Sequence, residues 1–419
     1  MKCSPVNAWV AQKTGLGAKL NPDTLREYQL SRLREMLDYV KRNSKHYADT
    51  LAHLEPRSVT EPQDLHRLPF TTAEDLHLNS ARFVCVPQHR VARIVTLSTS
   101  GTSGPPKRLY FSENDRELCV DFFACGMQTM AAKGDRVCVF LGGGSLGSTV
   151  DLLRQALERI GVEAILCGFM EDATESRNSL RADCFVGLPS QLFQMAKTNP
   201  ALRPKTVLLC SDYVPDVVFA TIRDTWHCEV FTHYGSTESG LGGGVQCCAH
   251  HGYHLRDADL LYEIIDPRSG RPVPHGSFGE VVFSTLTREA MPLIRYRTGD
   301  ISRMISTPCP CGSPLHRLDT IAGRYANRIP LAGGGEISIH LLDDILFNLP
   351  EILDYAAELH SGRNLRITAR LCAAVNPAQL AKNIEKLAPV PLSVSVTTTE
   401  SPLPASHAKR VITVAGDGE

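Results

Sequence analysis

Three short runs decide the fold: RVCVFL (Arg136–Leu141), TVDLLRQALERIG (Thr149–Gly161) and EAILCG (Glu163–Gly168). The first and third are compact apolar stretches of strand length; the second repeats apolar residues at helical spacing. The cadence continues through CFVGL (Cys184–Leu188), TVLLCS (Thr206–Ser211) and CEVFTHYG (Cys228–Gly235). Buried strands alternating with helical patterns predict a parallel sheet with crossover helices, an α/β class.

Upstream, Asn21-Pro22 is a helix start, and Leu25, Leu30, Leu33, Met36, Leu37 and Val40 recur at helical spacing, predicting an amphipathic helix from Asp23 to Lys41. Downstream the texture changes. LYEIID, GEVVFSTL and DISRMI are separated by PRSGRPVPHGSFG, which predicts β-hairpins between residues 260 and 305. After Gly323-Arg324, ISIHLLDDILFNLPEILDYAAELH predicts a helix, LRITARLCAAV a strand, PAQLAKNIEKLAP a helix and LSVSVTT a strand. The expected organisation is a large N-terminal domain, residues 1–323, of α/β sheets with a β-rich annex, and a small α+β C-terminal domain, residues 324–419.

The chain has 419 residues and 43% hydrophobic composition, enough for a large core. Its 44 Lys and Arg nearly cancel 45 Asp and Glu, so no charge field recruits nucleic acid or an anionic membrane. The N-terminus lacks a signal-like apolar core and no run of about 18 apolar residues occurs. A cytoplasmic protein is expected. Most of the 14 cysteines sit singly in apolar strings, where a thiol packs as a small hydrophobe.

Four loops carry candidate chemistry. STSGTSGPPK (Ser98–Lys107) places Ser100, Gly101, Thr102, Ser103, Gly104 and Lys107 where backbone, hydroxyls and one positive charge make an anion cradle, although it lacks the Gly-Lys-Ser/Thr triplet of a P-loop. LGGGSLG offers Gly142, Gly144 and Gly147 in a dinucleotide-like G-x-G-x-x-G, but no acidic residue closes the following strand, so tight βα packing is the better reading. HYGSTESG sets Glu238 among hydroxyls, suited to Mg²⁺ that keeps water and phosphate ligands. In RYRTGD, Asp300 follows a Thr-Gly turn and suits a ribose diol.

Together STSGTSGPPK, HYGSTESG and RYRTGD, followed by IAGR and the lysine of LPASHAKR, resemble the motifs of the adenylate-forming acyl-CoA synthetase superfamily. LREYQLSRLREMLDYVKRNSKHYADTL and LHRLPFTTAEDL look like its phenylacetate-CoA ligase branch. The resemblance covers essentially the whole chain. It implies an AMP-forming ligase that joins a carboxylic acid to ATP as an acyl-adenylate, releases pyrophosphate, and passes the acyl group to CoA after the C-terminal domain rotates.

By the same resemblance, Ser100 to Gly104 and Lys107 would wrap the β- and γ-phosphates, Tyr234 and Gly235 would flank adenine and acyl group, and Thr237 would touch the α-phosphate. Glu238 would hold Mg²⁺, and Asp300 would take the ribose hydroxyls with Arg317 or Arg324 helping. Ser211 and Asp212 fall loosely at the adenine pocket, and Lys409 matches the lysine that stabilises the adenylation transition state. Ala326 and Asn327 replace the usual acidic hinge pair, with Gly333 to Gly335 as the following loop. An alternative is therefore delivery of the acyl group to an amine, hydroxyl or carrier-protein thiol. A dinucleotide oxidoreductase using the Gly142 loop, or a degenerate adenylate-binding protein, are the other readings.

Two cysteine clusters remain. VQCCAHHGYH holds Cys247, Cys248, His250, His251 and His254, and TPCPCG holds Cys309 and Cys311. A C-x-C pair with a Cys and a His from another loop satisfies a closed tetrahedral zinc site of structural type. The resemblance points to Cys247, His254, Cys309 and Cys311, with Cys248 and His251 as alternatives. The acid and the oligomeric state are not legible.

Overall fold

The structure, a computed structural model, describes residues 3–97, 106–175, 180–324, 328–403 and 410–415. The chain opens with helices α1 (Pro5–Thr14), α2 (Pro22–Asn43), α3 (Lys45–Thr50) and α4 (Ala73–Asn79), then the antiparallel pair β1 (Arg93–Leu97) and β2 (Lys107–Phe111). Asn21 caps α2 as expected: its side chain accepts from the Asp23 and Thr24 amides, with Pro22 in the first turn. Helix α5 (Glu113–Met127) follows, then β3 (Arg136–Phe140), α6 (Thr149–Arg159), β4 (Glu163–Leu166), β5 (Cys184–Gly187), α7 (Pro189–Thr198), β6 (Thr206–Leu209), α8 (Asp216–Trp226) and β7 (Glu229–Tyr234). The β-rich run comprises β8 (Gly244–Gln246), β9 (Tyr253–Leu255), β10 (Leu260–Ile265), β11 (Gly279–Thr285), β12 (Tyr296–Ser302) and β13 (Arg317–Leu318). Short strands β14 (Gly323–Arg324), β15 (Ile329–Pro330) and β16 (Glu336–Ile337) lead to α9 (Ile339–Leu346), β17 (Ile352–His360), β18 (Asn364–Leu371), α10 (Pro377–Leu387), β19 (Ser393–Thr399) and β20 (Ile412–Ala415).

The chain forms two compact units. One gathers residues 1–129, 145–160 and 233–322; the other gathers 130–144, 161–232 and 323–419. In the second, β4, β3, β5, β6 and the first part of β7 lie side by side, all parallel, as the apolar runs predict. Its core joins Phe140, Phe185, Phe193 and Trp226 with Leu346, Tyr355, Ile367 and Ile384, so the C-terminal block shares one apolar core with that sheet. Strands β17 and β18 pair antiparallel, flanked in parallel by β20 and β19.

In the first unit, β10, β11 and β12 form an antiparallel meander over Tyr262, Phe283 and Tyr296, and the end of β7 pairs antiparallel with β8. The aromatic residues of this meander pack at angles, with Phe283 and Tyr296 ring centroids 5.4 Å apart.

Two expectations are corrected. The stretch 337–360 is not one helix: α9 stops at Leu346, and EILDYAAELH becomes β17. Pro350 blocks helix continuation, and the run beyond it finds an eight-residue strand, β18, to pair with. Asp300 does not follow a turn between strands; RYRTGD enters β12 itself. There the register slips between Glu280 and Val282 while β12 advances from Arg297 to Ile301, with Gly299 at φ +75°. The bulge re-aims Asp300 inward, where it is buried.

Candidate active site and cysteine–histidine cluster

Strand β2 carries Lys107, Leu109 and Phe111 on its buried face. A lysine at such a position is costly without a partner, and the partner is Glu238. The ammonium pairs with Glu238 Oε1, and Tyr296 Oη donates to the same oxygen at 3.1 Å. Burial would raise the Glu238 carboxyl, but the charge and hydrogen bond of Lys107 outweigh it and hold the group down at about 2. Glu238 is thus an ionised carboxylate neutralised inside the protein.

The loop after β7 presents it. A Cβ on Gly235 would lie 2.8 Å from the Gly242 Cα, so only glycine allows the chain to fold back on itself here. The Gly243 amide closes the return on the Tyr234 carbonyl at 2.8 Å. Ser236 and Ser239 exchange hydrogen bonds across the turn, and buried Arg288 donates to the Glu238 carbonyl at 2.7 Å. Thr237 lies half-buried beside Glu238, its carbonyl taking the Gly240 amide. Tyr234 Oη donates to Asp300 Oδ2 at 3.0 Å, and burial pushes that phenol well above its ordinary range. Lys107, Tyr234, Gly235, Thr237, Glu238 and Asp300 therefore converge in the first unit.

Other expected residues fall elsewhere. Ser100, Gly101, Thr102, Ser103, Gly104, Ala326, Asn327 and Lys409 lie outside the described residues. Ser211 and Asp212 follow β6 in the second unit, with Ser211 at φ +72° and Asp212 accepting the Tyr213 and Arg410 amides. Arg324 also belongs to the second unit. Arg317 lies in the first unit, its guanidinium bound to the His251 ring and carbonyl and to the Thr307 carbonyl, between the cysteine-bearing loops. Tyr296, which bridges Lys107 and Glu238, was visible inside RYRTGD but unassigned, because one tyrosine in a strand reads as core.

The Gly142 loop does not offer a phosphate cradle. A Cβ on Gly142 would fall 2.3 Å from the Phe169 ring, which is tight packing. At the start of α6, the Gly147 amide donates to Asp151 Oδ2 at 2.7 Å while Ser148 caps the helix. A carboxylate from the same helix already holds that N-terminus.

The two cysteine clusters do meet. Cys247 follows β8, His254 lies in β9 opposite Val245 and Arg317, and Cys309 and Cys311 sit in the turn before β13. Their ligand atoms lie within 4.8 Å of one another, all four residues buried. Cys247 and Cys309 sulfurs are 3.7 Å apart, and Cys311 Sγ is 3.4 Å from His254 Nε2. Burial pushes the Cys247 thiol up to about 12, and burial aided by Arg317 holds His254 down at about 4. Three sulfurs and a neutral imidazole at this spacing fit zinc. Cys248 is exposed and His251 is engaged by Arg317, so neither alternative joins the group.

No family model matches the chain. It is similar to the phenylacetate-coenzyme A ligase of Thermus thermophilus, 28% identical over 357 residues, covering 80% of this chain and 77% of that protein. Its likeness to the phenylacetate-coenzyme A ligase of Pseudomonas putida is 27% over 341 residues, covering 77% and 76%. Among solved structures it matches a 2-hydroxyisobutyryl-CoA ligase in the postadenylation state in complex with R3-HIB-AMP, with TM-score 0.81 and 19% identity, over 94% of this chain and 90% of that one. Sequence likeness along most of its length and a shared fold agree: the chain is a homologue of the phenylacetate-coenzyme A ligases, with the fold of the adenylate-forming CoA ligases.

Proposed function

We propose that the chain is an AMP-forming carboxylate–CoA ligase that acts in two steps, adenylation of a carboxylic acid and thioester formation. The observation that carries this is the buried Lys107–Glu238–Tyr296 group beside the Tyr234–Asp300 pair, in a homologue of phenylacetate-coenzyme A ligases. A buried lysine and carboxylate that neutralise each other are matched to a ligand carrying both phosphate and a cation: Lys107 would exchange Glu238 for phosphate oxygens, leaving Glu238 free to hold Mg²⁺. Mg²⁺ held there would neutralise phosphate charge.

Asp300, aimed inward by the bulge, receives the ribose hydroxyls, with Tyr234 fixing its orientation. By the family resemblance, Thr237 would bind the α-phosphate, Ser100 to Gly104 would surround the outer phosphates, and Ser211, Asp212 and Arg324 are carried over as nucleotide contacts. Lys409 supplies positive charge as the acid oxygen attacks the α-phosphate and pyrophosphate leaves. The acyl-phosphate bond then breaks as the CoA sulfur takes the acyl group and AMP departs.

Zinc held by Cys247, His254, Cys309 and Cys311 would be structural, since all four positions are filled by protein. No described helix is long and apolar enough to cross a membrane. Fourteen cysteines without a disulfide suit a reducing compartment, and a cytoplasmic place is part of this reading.

The test is pyrophosphate release from ATP across aromatic and aliphatic acids, with and without CoA, with mass analysis of products. Acid-dependent release and an acyl-CoA product support the ligase. Release indifferent to CoA replaces CoA with another acceptor, and none with any acid removes the reading.

A further inference from the structure

The turn that carries Glu238 is held from behind by two buried arginines, all within the first unit. Every second carbonyl along it is taken. The Glu238 carbonyl accepts from Arg288 Nη1 at 2.7 Å, and the Gly242 carbonyl from Arg256 Nη1 at 2.9 Å. Between them, the Gly240 carbonyl takes Arg256 Nη1 at 3.3 Å and the Cys119 thiol at 3.1 Å. Arg256 is fixed in turn: Nε donates to Asp259 Oδ1 at 3.1 Å, Nη2 pairs with Oδ2, and the guanidinium lies 4.5 Å from the Phe122 ring centroid.

The turn needs such holding. Gly240 and Leu241 both have left-handed backbone, at φ +81° and +67°, and a leucine there is strained unless its surroundings over-determine it. Arg288 is the more telling of the two arginines. It is 7% exposed and stacks over Phe111, yet among the described residues it has no ion pair, and its one hydrogen bond is to the Glu238 carbonyl. Burial makes its charge costly, and the carboxylates of Asp115 and Asp259, beyond ion-pair distance, offset that cost only in part. A buried charge so weakly compensated returns little stability. What it fixes is the backbone of the residue that meets Lys107.

We propose that Arg288 and Arg256 are positioning residues for Glu238, holding the back of its turn so that the carboxylate stands ready for the cation that accompanies ATP. The inference rests on the ligase reading for the cation and on the carbonyl contacts for the geometry. Neither arginine touches substrate; each acts through the backbone of residues 238–242.

The experiment uses the full chain with ATP and MgCl₂ as probes. ATP affinity is measured by calorimetry across Mg²⁺ concentrations and in EDTA, and amide exchange of residues 236–243 by mass spectrometry, in wild type, Arg288→Met, Arg288→Lys and Arg256→Lys. In Arg288→Met, which keeps length and loses charge, the Mg²⁺ concentration for half-maximal ATP binding rises about tenfold, while metal-free ATP affinity stays within about twofold. Exchange at 236–243 quickens about tenfold without a like change elsewhere. Arg288→Lys, which keeps a charged donor, restores most of both. Arg256→Lys, whose single ammonium cannot serve Asp259 and two carbonyls together, shifts both by about threefold and carries the same reading should Arg288→Met fold poorly.

Unmoved Mg²⁺ dependence in the variants overturns the proposal, whatever the exchange does. So does an equal fall of metal-free and Mg²⁺-dependent ATP binding, the mark of a merely structural role. Wild type that binds ATP without regard to Mg²⁺, or binds none, removes the cation of the ligase reading; the hold on the Glu238 turn then stands on quickened exchange in the variants and falls on unchanged exchange.

Discussion

Two buried groups in the first unit handle charge in opposite ways. Glu238 is complete within the protein: Lys107 neutralises it, Tyr296 hydrogen-bonds it, and its carboxyl is held down at about 2. The Cys247, His254, Cys309 and Cys311 group is not: sulfur faces sulfur at 3.7 Å, burial pushes the Cys247 thiol up to about 12, and His254 is held neutral. Ionised thiolates at that spacing need a cation to stay together. On the proposed reading, the first group would exchange partners during turnover and the second would be completed by a zinc ion.

The largest effect that sharpens this contrast is on rate. Glu238→Gln should lower acid-dependent pyrophosphate release by about 10³-fold, because it would remove the proposed Mg²⁺ ligand and free Lys107 from its partner. Steady-state release by a folded variant checks it, and near-normal release would break the assignment.

Next is metal removal. Purified chain should hold about one zinc, and Cys309→Ser should lose it with a fall in Tm on the order of 10 °C. Withdrawing Mg²⁺ should stop pyrophosphate release without moving Tm. If both removals act alike on Tm, the contrast fails.

Smaller is Tyr234→Phe, which deletes one hydrogen bond to Asp300 and should raise the ATP KM by about tenfold or less. An unchanged KM would detach Asp300 from the nucleotide. Smallest is a pH effect. A carboxyl depressed in the folded state contributes stability above its unfolded value that is lost as pH falls through the folded one. The stability gap between wild type and Glu238→Gln should thus be level at neutral pH and shrink below about pH 4.5, vanishing near pH 2. Thermal unfolding across that range reads it.

Much of this was legible because local pattern and tertiary context agree. The parallel strands announce themselves as apolar runs, and Asn21-Pro22 as a helix start. Lys107, Glu238 and Asp300 were singled out through three co-linear stretches, and the cysteine–histidine group through cysteine spacing together with the family resemblance. What escaped depends on partners far along the chain. EILDYAAELH has helical spacing until β18 offers it a ladder, and Arg317 looks like a free cation until His251 and Thr307 bind it. Tyr296 sits inside RYRTGD but reads as a core tyrosine; only the buried carboxylate it meets marks it.

The most direct test of the central claim follows an oxygen atom. With the active acid labelled with ¹⁸O in its carboxylate, attack on the α-phosphate leaves one label in AMP when the acyl group departs, read by mass spectrometry of the nucleotide. This account predicts one ¹⁸O in AMP and none in the pyrophosphate; label in inorganic phosphate, or unlabelled AMP beside formed product, would contradict it.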